Sequence, residues 1–424
     1  MTALAPAADR VLPLSRNRAF GLLWFGEGVS VLGNATTFIL LPLLAVVAFD
    51  AGPGWMGALA TAAWLPYLVI GLPAGAWVDR LPPRAVMIGA DLASAAAYAS
   101  VPVAWALDLL TLQHLVVVAF TGGVATVFFR TAYSVFLPQV VVPEHLEAAN
   151  GRMFGTESAM QIAGPGLGGL IAQLLSAALG LLLDAASFLV SAFCLWRIRP
   201  ERPAPVQEET TAGLGERIRE GVDFVRHDRY LPWLTAIGGL SNLGLTGFGA
   251  LMVLYLSKDL ELDPSGIGIV MMAGSSGGLL GALVATRVSR RLGSGRASTV
   301  LLLGAGFPAL LLPLARPGAG ALLVVTGLFV LGACVVAGNV IRGAWRQRYV
   351  PAHLMGRVVT TTQMVNFGTM PVAGLLAGWL GSTLGVRETI AVMATVHVVG
   401  TLVILISPLR GLRDLPAPAR PRDC

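Results

Sequence analysis

The sequence predicts an all-α membrane protein with twelve transmembrane helices in two pseudo-symmetric six-helix bundles. Three observations predict it. Twelve apolar runs each reach the roughly 20 residues that a helix needs to cross the hydrocarbon core. The basic residues sort to one side of those runs. The second half repeats landmarks of the first at a nearly constant shift.

Composition sets the solvent. The chain has 424 residues, of which 55% are hydrophobic and 12% charged, about half the charge that soluble domains carry. So little charge does not cover a water-facing surface of this size, and lipid must take water's place. The net charge of +6 comes from arginines in short loops between apolar runs. That pattern points to loops retained in the cytoplasm and not to nucleic acid. Cys194 and Cys334 fall inside apolar segments and Cys424 ends the chain, so neither a disulfide framework nor a metal or redox spacing is present.

The apolar runs lie near 19–49, 54–78, 85–107, 113–137, 152–176, 178–196, 231–256, 265–287, 297–315, 318–343, 357–380 and 388–409. Arg10, Arg16 and Arg18 precede the first run, which lacks a small-residue cleavage site. It reads as an uncleaved first helix and not a signal peptide. With twelve helices, 26 of the 29 basic residues fall on one side, and only Lys258, Arg316 and Arg387 on the other. One missed helix would invert every later loop, so the split supports the count. It also predicts a bacterial inner-membrane protein with both termini in the cytoplasm.

The longest connection divides the chain into an N-terminal bundle (1–196), a linker (197–230), and a C-terminal bundle with a cytoplasmic tail (231–424). In the linker, Leu214, Ile218, Val222 and Val225 recur at helical spacing among charges. This predicts an amphipathic helix lying on the membrane surface. The halves share landmarks. Val142-Pro143-Glu144-His145-Leu146 matches Val350-Pro351-Ala352-His353-Leu354, Gly151-Arg152 matches Gly356-Arg357, and Asn34 matches Asn242. Their common order predicts a duplicated six-helix unit.

Two motifs narrow the family. The loop after the second run reads Gly75-Ala-Trp-Val-Asp79-Arg80-Leu-Pro-Pro-Arg84. It resembles the major facilitator superfamily signature G-x-x-x-D-R-x-G-R-R, with Pro82 and Pro83 in place of Gly and a basic residue. Gly75 is expected to permit close helix contact. Asp79 is expected at the N-terminus of the eleventh helix, near Gly356 and Arg357, where orphan N–H groups favour an anion; there it would latch the halves on the cytoplasmic side. The corresponding second-half loop keeps Arg287, Arg290 and Arg291 but lacks the Asp. The fifth run carries Gly164-Pro165-Gly166-Leu167-Gly168-Gly169 after Gly151. This resembles the superfamily's antiporter motif G-x8-G-x3-G-P-x-x-G-G, with Met160 at the second Gly. The alternative is tight helix packing without a role in the direction of transport. The same residues fit the dinucleotide pattern G-x-G-x-x-G, but no strand precedes them.

The wider run from Leu137-Pro138 through Val142-Pro143-Glu144 and Asn150-Gly151 to Gly164-Pro165 resembles the macrolide-efflux and siderophore-exporter branch, the transmembrane secretion effectors. So does the stretch Asp223-Phe224-Val225-Arg226 before the seventh helix. The resemblance covers nearly the whole chain. It implies alternating access by two rocking bundles and export of a small, largely apolar compound, with protons as the expected counter-ion, lipid bilayer as surroundings, and a monomer. Two features depart from the pattern. The position after Gly33, often acidic in this branch, is Asn34. The helix-4 signature R-x-x-x-G of drug exporters is absent, since Arg130 lies near the cytoplasmic end of that run.

Polar residues inside the membrane are candidates for function because lipid solvates them poorly. Glu27, Ser30, Asn34 and Thr37 form one stripe along the first helix. Asn242 and Thr246 share a face of the seventh, Glu157 and Gln161 lie one turn apart in the fifth, and Asn366 takes the repeat position of Gln161. For Ser and Thr the favoured reading is interhelical hydrogen bonding. Glu27 is favoured as the proton carrier, with Glu157 in reserve. Glu27, Asn34 and Asn242 are expected to face one aqueous cavity between the halves. Asp91 and Asp184 lie nearer helix ends and read as structural, and His397 in the twelfth run is open between the two readings. No G-x-S-x-G, H-E-x-x-H, Walker loop or paired Cys site is present. Neither an enzyme nor a bound cofactor is therefore expected. The alternatives to an exporter are a proton-coupled importer and a non-transporting membrane sensor or scaffold.

Overall fold

The computed structural model describes residues 14–78, 80–199 and 214–417, and every regular element among them is helical. The first bundle comprises α1 (Arg18–Phe49), α2 (Pro53–Val69), α3 (Gly71–Val78), α4 (Pro83–Ala106), α5 (Leu112–Val140), α6 (Leu146–Leu174) and α7 (Ala177–Arg197). The linker supplies α8 (Leu214–His227). The second bundle comprises α9 (Leu231–Leu254), α10 (Pro264–Leu292), α11 (Ser294–Gly306), α12 (Ala321–Tyr349), α13 (Ala352–Leu384) and α14 (Val386–Leu402).

Among the described residues, ten helices are long and apolar enough to span a membrane unaided. The other two crossings differ for identifiable reasons. α2 and α3 make one crossing with a break at Ile70. Pro73 lacks the N–H that would bond the Val69 carbonyl, and its ring crowds that carbonyl. α6 carries Glu147, Arg152 and Glu157 in its first half and glycines in its second, which dilutes its hydropathy. Leu174, Leu283 and Trp379 point outward with 71%, 65% and 65% of their surface exposed. In water such apolar exposure costs about 25 cal/mol per Å², whereas against acyl chains it costs nothing. Twelve crossings in two six-helix bundles are thus the fold.

The apolar core shows which end is closed. At the end bearing Asp50 and Lys258, one buried cluster runs through both bundles, from Leu40, Met56 and Leu181 to Leu251, Ile267 and Ile390. At the arginine-rich end the clusters separate. Phe20, Met87 and Phe136 pack in the first bundle, and Leu302, Trp345 and Val358 in the second. The molecule is sealed at the first end and open at the second.

Two glycine seams make the seal. On α2, a Cβ at Gly57 would lie 2.4 Å from the Gly374 carbonyl of α13 and 2.6 Å from Gly378 Cα. On α6, a Cβ at Gly169 would lie 2.4 Å from the Pro264 carbonyl and 2.8 Å from Gly268 Cα of α10. Only glycine allows backbones this close. Deeper along the first seam, Thr61 Oγ1 donates to the Pro371 carbonyl at 3.1 Å, and Phe367 of α13 packs on Trp64 and Tyr67 of α2. An ion pair between Asp50 and Lys258 bridges the bundles beyond the seams. The two residues sit 208 positions apart, the shift that also relates Asn34 to Asn242.

Three expectations need correction or restriction at the arginine-rich end. α8 is docked on protein: Val225 is buried with Leu231, Leu354 and Val358, Glu220 pairs with Arg357 of α13, and Gly221 abuts the Arg357 carbonyl. Its buried apolar residue is covered by α13, so the helix does not simply lie on lipid. Gly75 has open space where a Cβ would go, so it makes no close helix contact here; the bundles part at this end. Asp79 lies outside the described residues. Arg80 is exposed. Arg84 donates from Nε to the Leu195 carbonyl at 2.8 Å, and from its terminal nitrogen to the Trp196 carbonyl. It thereby satisfies orphan carbonyls at the C-terminus of α7, where a cation also suits the helix dipole.

Candidate functional site

Each bundle holds its own cavity. In the first, a space of about 230 Å³ lies between α1, α5 and α6 and is lined by Trp24, Glu27, Arg130, Tyr133, Phe154 and Glu157, among others. A side pocket of about 60 Å³ continues past Glu27 to Ser30, Asn34, Asp91 and Ser94. In the second bundle, a space of about 380 Å³ lies among α9, α11, α12, α13 and α14. Asn242, Asn339, Arg342, Arg346 and Asn366 line it, with Leu234, Leu245, Leu301 and Val335 as apolar walls.

Glu27 lies nine residues into α1, about 13 Å along the helix axis at 1.5 Å per residue. Its Oε2 is buried and has no hydrogen-bond partner among the described residues. Across the cavity, Arg130 of α5 and Glu157 of α6 form an ion pair at 2.8 Å. Gln161 Nε2 donates to the same Glu157 oxygen at 3.2 Å. Trp24 Nε1 donates to Thr156 Oγ1 at 2.7 Å, tying α1 to α6 over the cavity wall. Among the described residues, a carboxyl with an unpartnered Oε2 therefore sits beside a compensated ion pair.

The sequence-predicted residues divide accordingly. Glu27, Ser30, Asn34 and Glu157 come together in the first bundle, and Asn242 and Asn366 in the second. Thr37 lines none of these cavities and makes the interhelical hydrogen bond favoured for it: it is buried and donates to Asp184 Oδ2 of α7 at 2.5 Å. It lies ten residues beyond Glu27, where α1 is enclosed by the continuous core. Gln161 and Thr246 are not among the lining residues of these cavities. Glu27 and Asn34 line spaces on the first bundle and Asn242 a space on the second, with Asn34 exposed at mid-helix. His397 is buried between the Ser241 carbonyl at 3.4 Å and the Ala305 carbonyl at 3.3 Å, joining α14 to α9 and α11.

The antiporter-like motif is a packing device in this state. A Cβ at Gly164 would lie 2.3 Å from Ala35 Cβ, and one at Gly168 2.9 Å from the Thr36 carbonyl. Both glycines let α6 press on α1, while Gly169 serves the seam to α10 and Pro165 is buried among them.

Counting charges by loop missed two residues. Arg130 and Arg342 count toward the cytoplasmic side in the charge distribution, and each lies inside a helix and lines a cavity. The available signal was position: Arg342 precedes the end of α12 at Tyr349 by seven residues, about 10 Å of helix. Asp91, read as structural, lines the side pocket next to Glu27.

Two bundles of one chain, sealed together at one end and each opening a polar cavity toward the other, define a multi-pass membrane transporter. Residues 23–371 match the model of the Major Facilitator Superfamily, and the chain belongs to that family. It is 30% identical over 404 residues to the multidrug efflux pump Tap of Mycolicibacterium fortuitum, covering 92% of this chain and 96% of that one. It is 22% identical over 393 residues to macrolide efflux protein A of Streptococcus pyogenes, covering 92% and 94%. The crystal structure of the nucleoside transporter NupG shares the fold with a TM-score of 0.75 at 13% identity, covering 92% of this chain and 98% of that one.

Proposed function

We propose that this protein exports a small, largely apolar compound from the bacterial cytoplasm by alternating access, in exchange for protons. The observation that carries the reading is the pair of cavities opening toward one end while the other end is sealed, with Glu27 Oε2 in one of them unpartnered among the described residues. The arginine-rich end is the cytoplasmic one by the distribution of basic residues, so this state receives compound from the cytoplasm. The relatives named as a multidrug efflux pump and a macrolide efflux protein support the outward direction.

The residues suggest the cycle. Compound and Glu27 occupy neighbouring space, so a proton on Glu27 and a compound in the cavity compete for one environment. Carrying an ionised carboxylate through an occluded state is expensive, so the bundles rock with either the proton or the compound aboard. The glycine seams then open at the outer end. The domain division at the α8 linker fits such rocking, since α8 is docked on the second bundle.

The test uses inverted membrane vesicles, a labelled macrolide and a set of fluorescent dyes, with and without an acid-inside pH gradient. Gradient-dependent accumulation is expected in the wild type. Glu27→Gln is expected to keep compound exchange and lose uphill accumulation, and Glu157→Gln tests the reserve acid in the same assay. If both variants accumulate compound at wild-type rates, proton antiport through either acid is excluded. Accumulation only in right-side-out vesicles would identify an importer, and none in either orientation a sensor or scaffold.

A further inference from the structure

We infer that the cavity of the second bundle is an anion subsite: Arg342 receives an anionic oxygen group of an amphipathic organic compound, whose apolar body rests on the leucine-lined wall. The inference rests on the export reading for the compound's route and goes beyond it in naming the compound's chemistry.

The cavity is basic and has no internal counter-charge. Arg342 and Arg346 line it, and no Asp or Glu is among its lining residues. The guanidinium of Arg342 is held at one end only: its Nη2 donates to Asn339 Oδ1 at 3.0 Å. Its Nη1 is buried and has no hydrogen-bond partner among the described residues. A buried cationic donor left unpaired is unfavourable, and a charge-assisted bond to an oxyanion is the strongest way to satisfy it.

The space around the group is made for it. A Cβ on Gly338, one turn earlier on α12, would lie 2.7 Å from Nη1 and 2.9 Å from Nη2. The missing side chain lets the guanidinium fold back along α12 into the cavity. Polar groups from other helices line the same space: Asn242 from α9, and Gln363 and Asn366 from α13. The Asn366 Oδ1 is also buried without a partner among the described residues. A carboxylate, sulfonate or enolate would fill Nη1, and a neighbouring hydroxyl or amide N–H of the same compound would fill Asn366 Oδ1. Leu234, Leu245, Leu301 and Val335 offer the apolar body a wall.

The first bundle contrasts with this. There the cation, Arg130, is already paired with Glu157 at 2.8 Å, so it has no comparable demand for an external anion. The demand for an external anion therefore lies in the second cavity.

The experiment measures binding to the full-length protein in nanodiscs without any gradient, using pyrenebutyrate and its neutral amide as a matched pair. Wild type is expected to bind the carboxylate about tenfold or more tightly than the amide. Arg342→Gln is expected to erase that difference and Arg342→Lys to retain part of it. Arg348→Gln, an exposed change on the same helix outside the cavity lining, should leave it intact. Equal wild-type binding of the two probes, which needs no variant, overturns the proposal, as does discrimination that survives Arg342→Gln. Nanodiscs with and without phosphatidylglycerol separate the sources of anion. Discrimination in both supports a transported compound, and discrimination abolished by the anionic lipid assigns the site to a lipid phosphate and overturns the proposal. Vesicle export is followed in parallel. Lost export with discrimination intact sinks the export reading alone, and intact export without discrimination sinks the subsite alone.

Discussion

The two bundles are built to one plan at the sealed end and to different plans in their cavities. The glycine seam of α2 with α13 has its counterpart in that of α6 with α10, and Asp50 pairs with Lys258 from the matching position. Inside, the first bundle offers an acid beside a compensated ion pair, and the second an arginine with one amide partner. Backbone contacts between bundles constrain both copies of a duplicated unit alike, because any side chain larger than hydrogen forces the seam apart. A cavity has no such constraint, so its charges were free to diverge into separate tasks.

The largest effect is expected where the bundles are alike. Gly169→Val and Gly374→Val each place a side chain against backbone or a fixed hydroxyl of the opposite bundle, at 2.4 and 2.6 Å from the Cβ. Each should destabilise the sealed state by about 1–3 kcal/mol. Thiol labelling of a cysteine placed at the outer end should rise in both. A large effect in one alone would break the equivalence of the seams.

The cavities should respond in opposite directions. Arg130→Gln leaves Glu157 without its ion-pair partner and near Glu27, and should lower thermal stability by about 1 kcal/mol, a modest figure because Arg130 is solvent-accessible. Arg342→Gln removes a cation that has no counter-charge among the residues lining its cavity, and should leave stability unchanged or raise it. Melting curves in detergent at one pH decide this, and equal losses in both variants would remove the contrast between the cavities.

Gly338→Ala sharpens the comparison further. The atoms nearest its Cβ belong to the flexible end of Arg342, so the fold should hold while the guanidinium shifts. A few-fold loss of carboxylate binding without a change in proton-driven export is the expected result in the assays described above.

The smallest effect belongs to the outer ion pair. Asp50 is fully exposed, and the hydrogen bond from Lys258 holds its carboxyl below the usual value. Because that value is depressed, the pair is intact at neutral pH and is lost only as pH falls through the lowered value. Asp50→Asn should raise outer-end labelling slightly at neutral pH in low salt, and the difference should vanish in high salt. A difference that persists in high salt would show that the pair is not a screened surface contact.

How much was legible in the sequence follows from what each signal measures. Apolar runs of bilayer length gave the twelve crossings, including α2–α3 and α6, which fall short when each helix is judged alone. Glu27, Asn34, Asn242 and Asn366 were found because a polar side chain stands out in an apolar run. Thr37 makes the interhelical hydrogen bond favoured for it, but its partner Asp184 was not legible, because periodicity fixes a face of a helix and not what covers that face at each depth. Arg130 and Arg342 were not legible as cavity residues, because an arginine within two or three turns of a helix end reads as part of the cytoplasmic charge until packing shows which way it turns.

The sequence by itself determined the solvent, the number of crossings, the two-fold repeat and the family, because these depend on composition and spacing along one chain. The tertiary structure alone decided which end is sealed, that α8 docks on α13, and that the first bundle's cavity holds an acid beside an ion pair while the second's is lined by arginines without an acid. Those outcomes depend on the rotation and tilt of each helix, which packing against neighbours sets and hydropathy does not record.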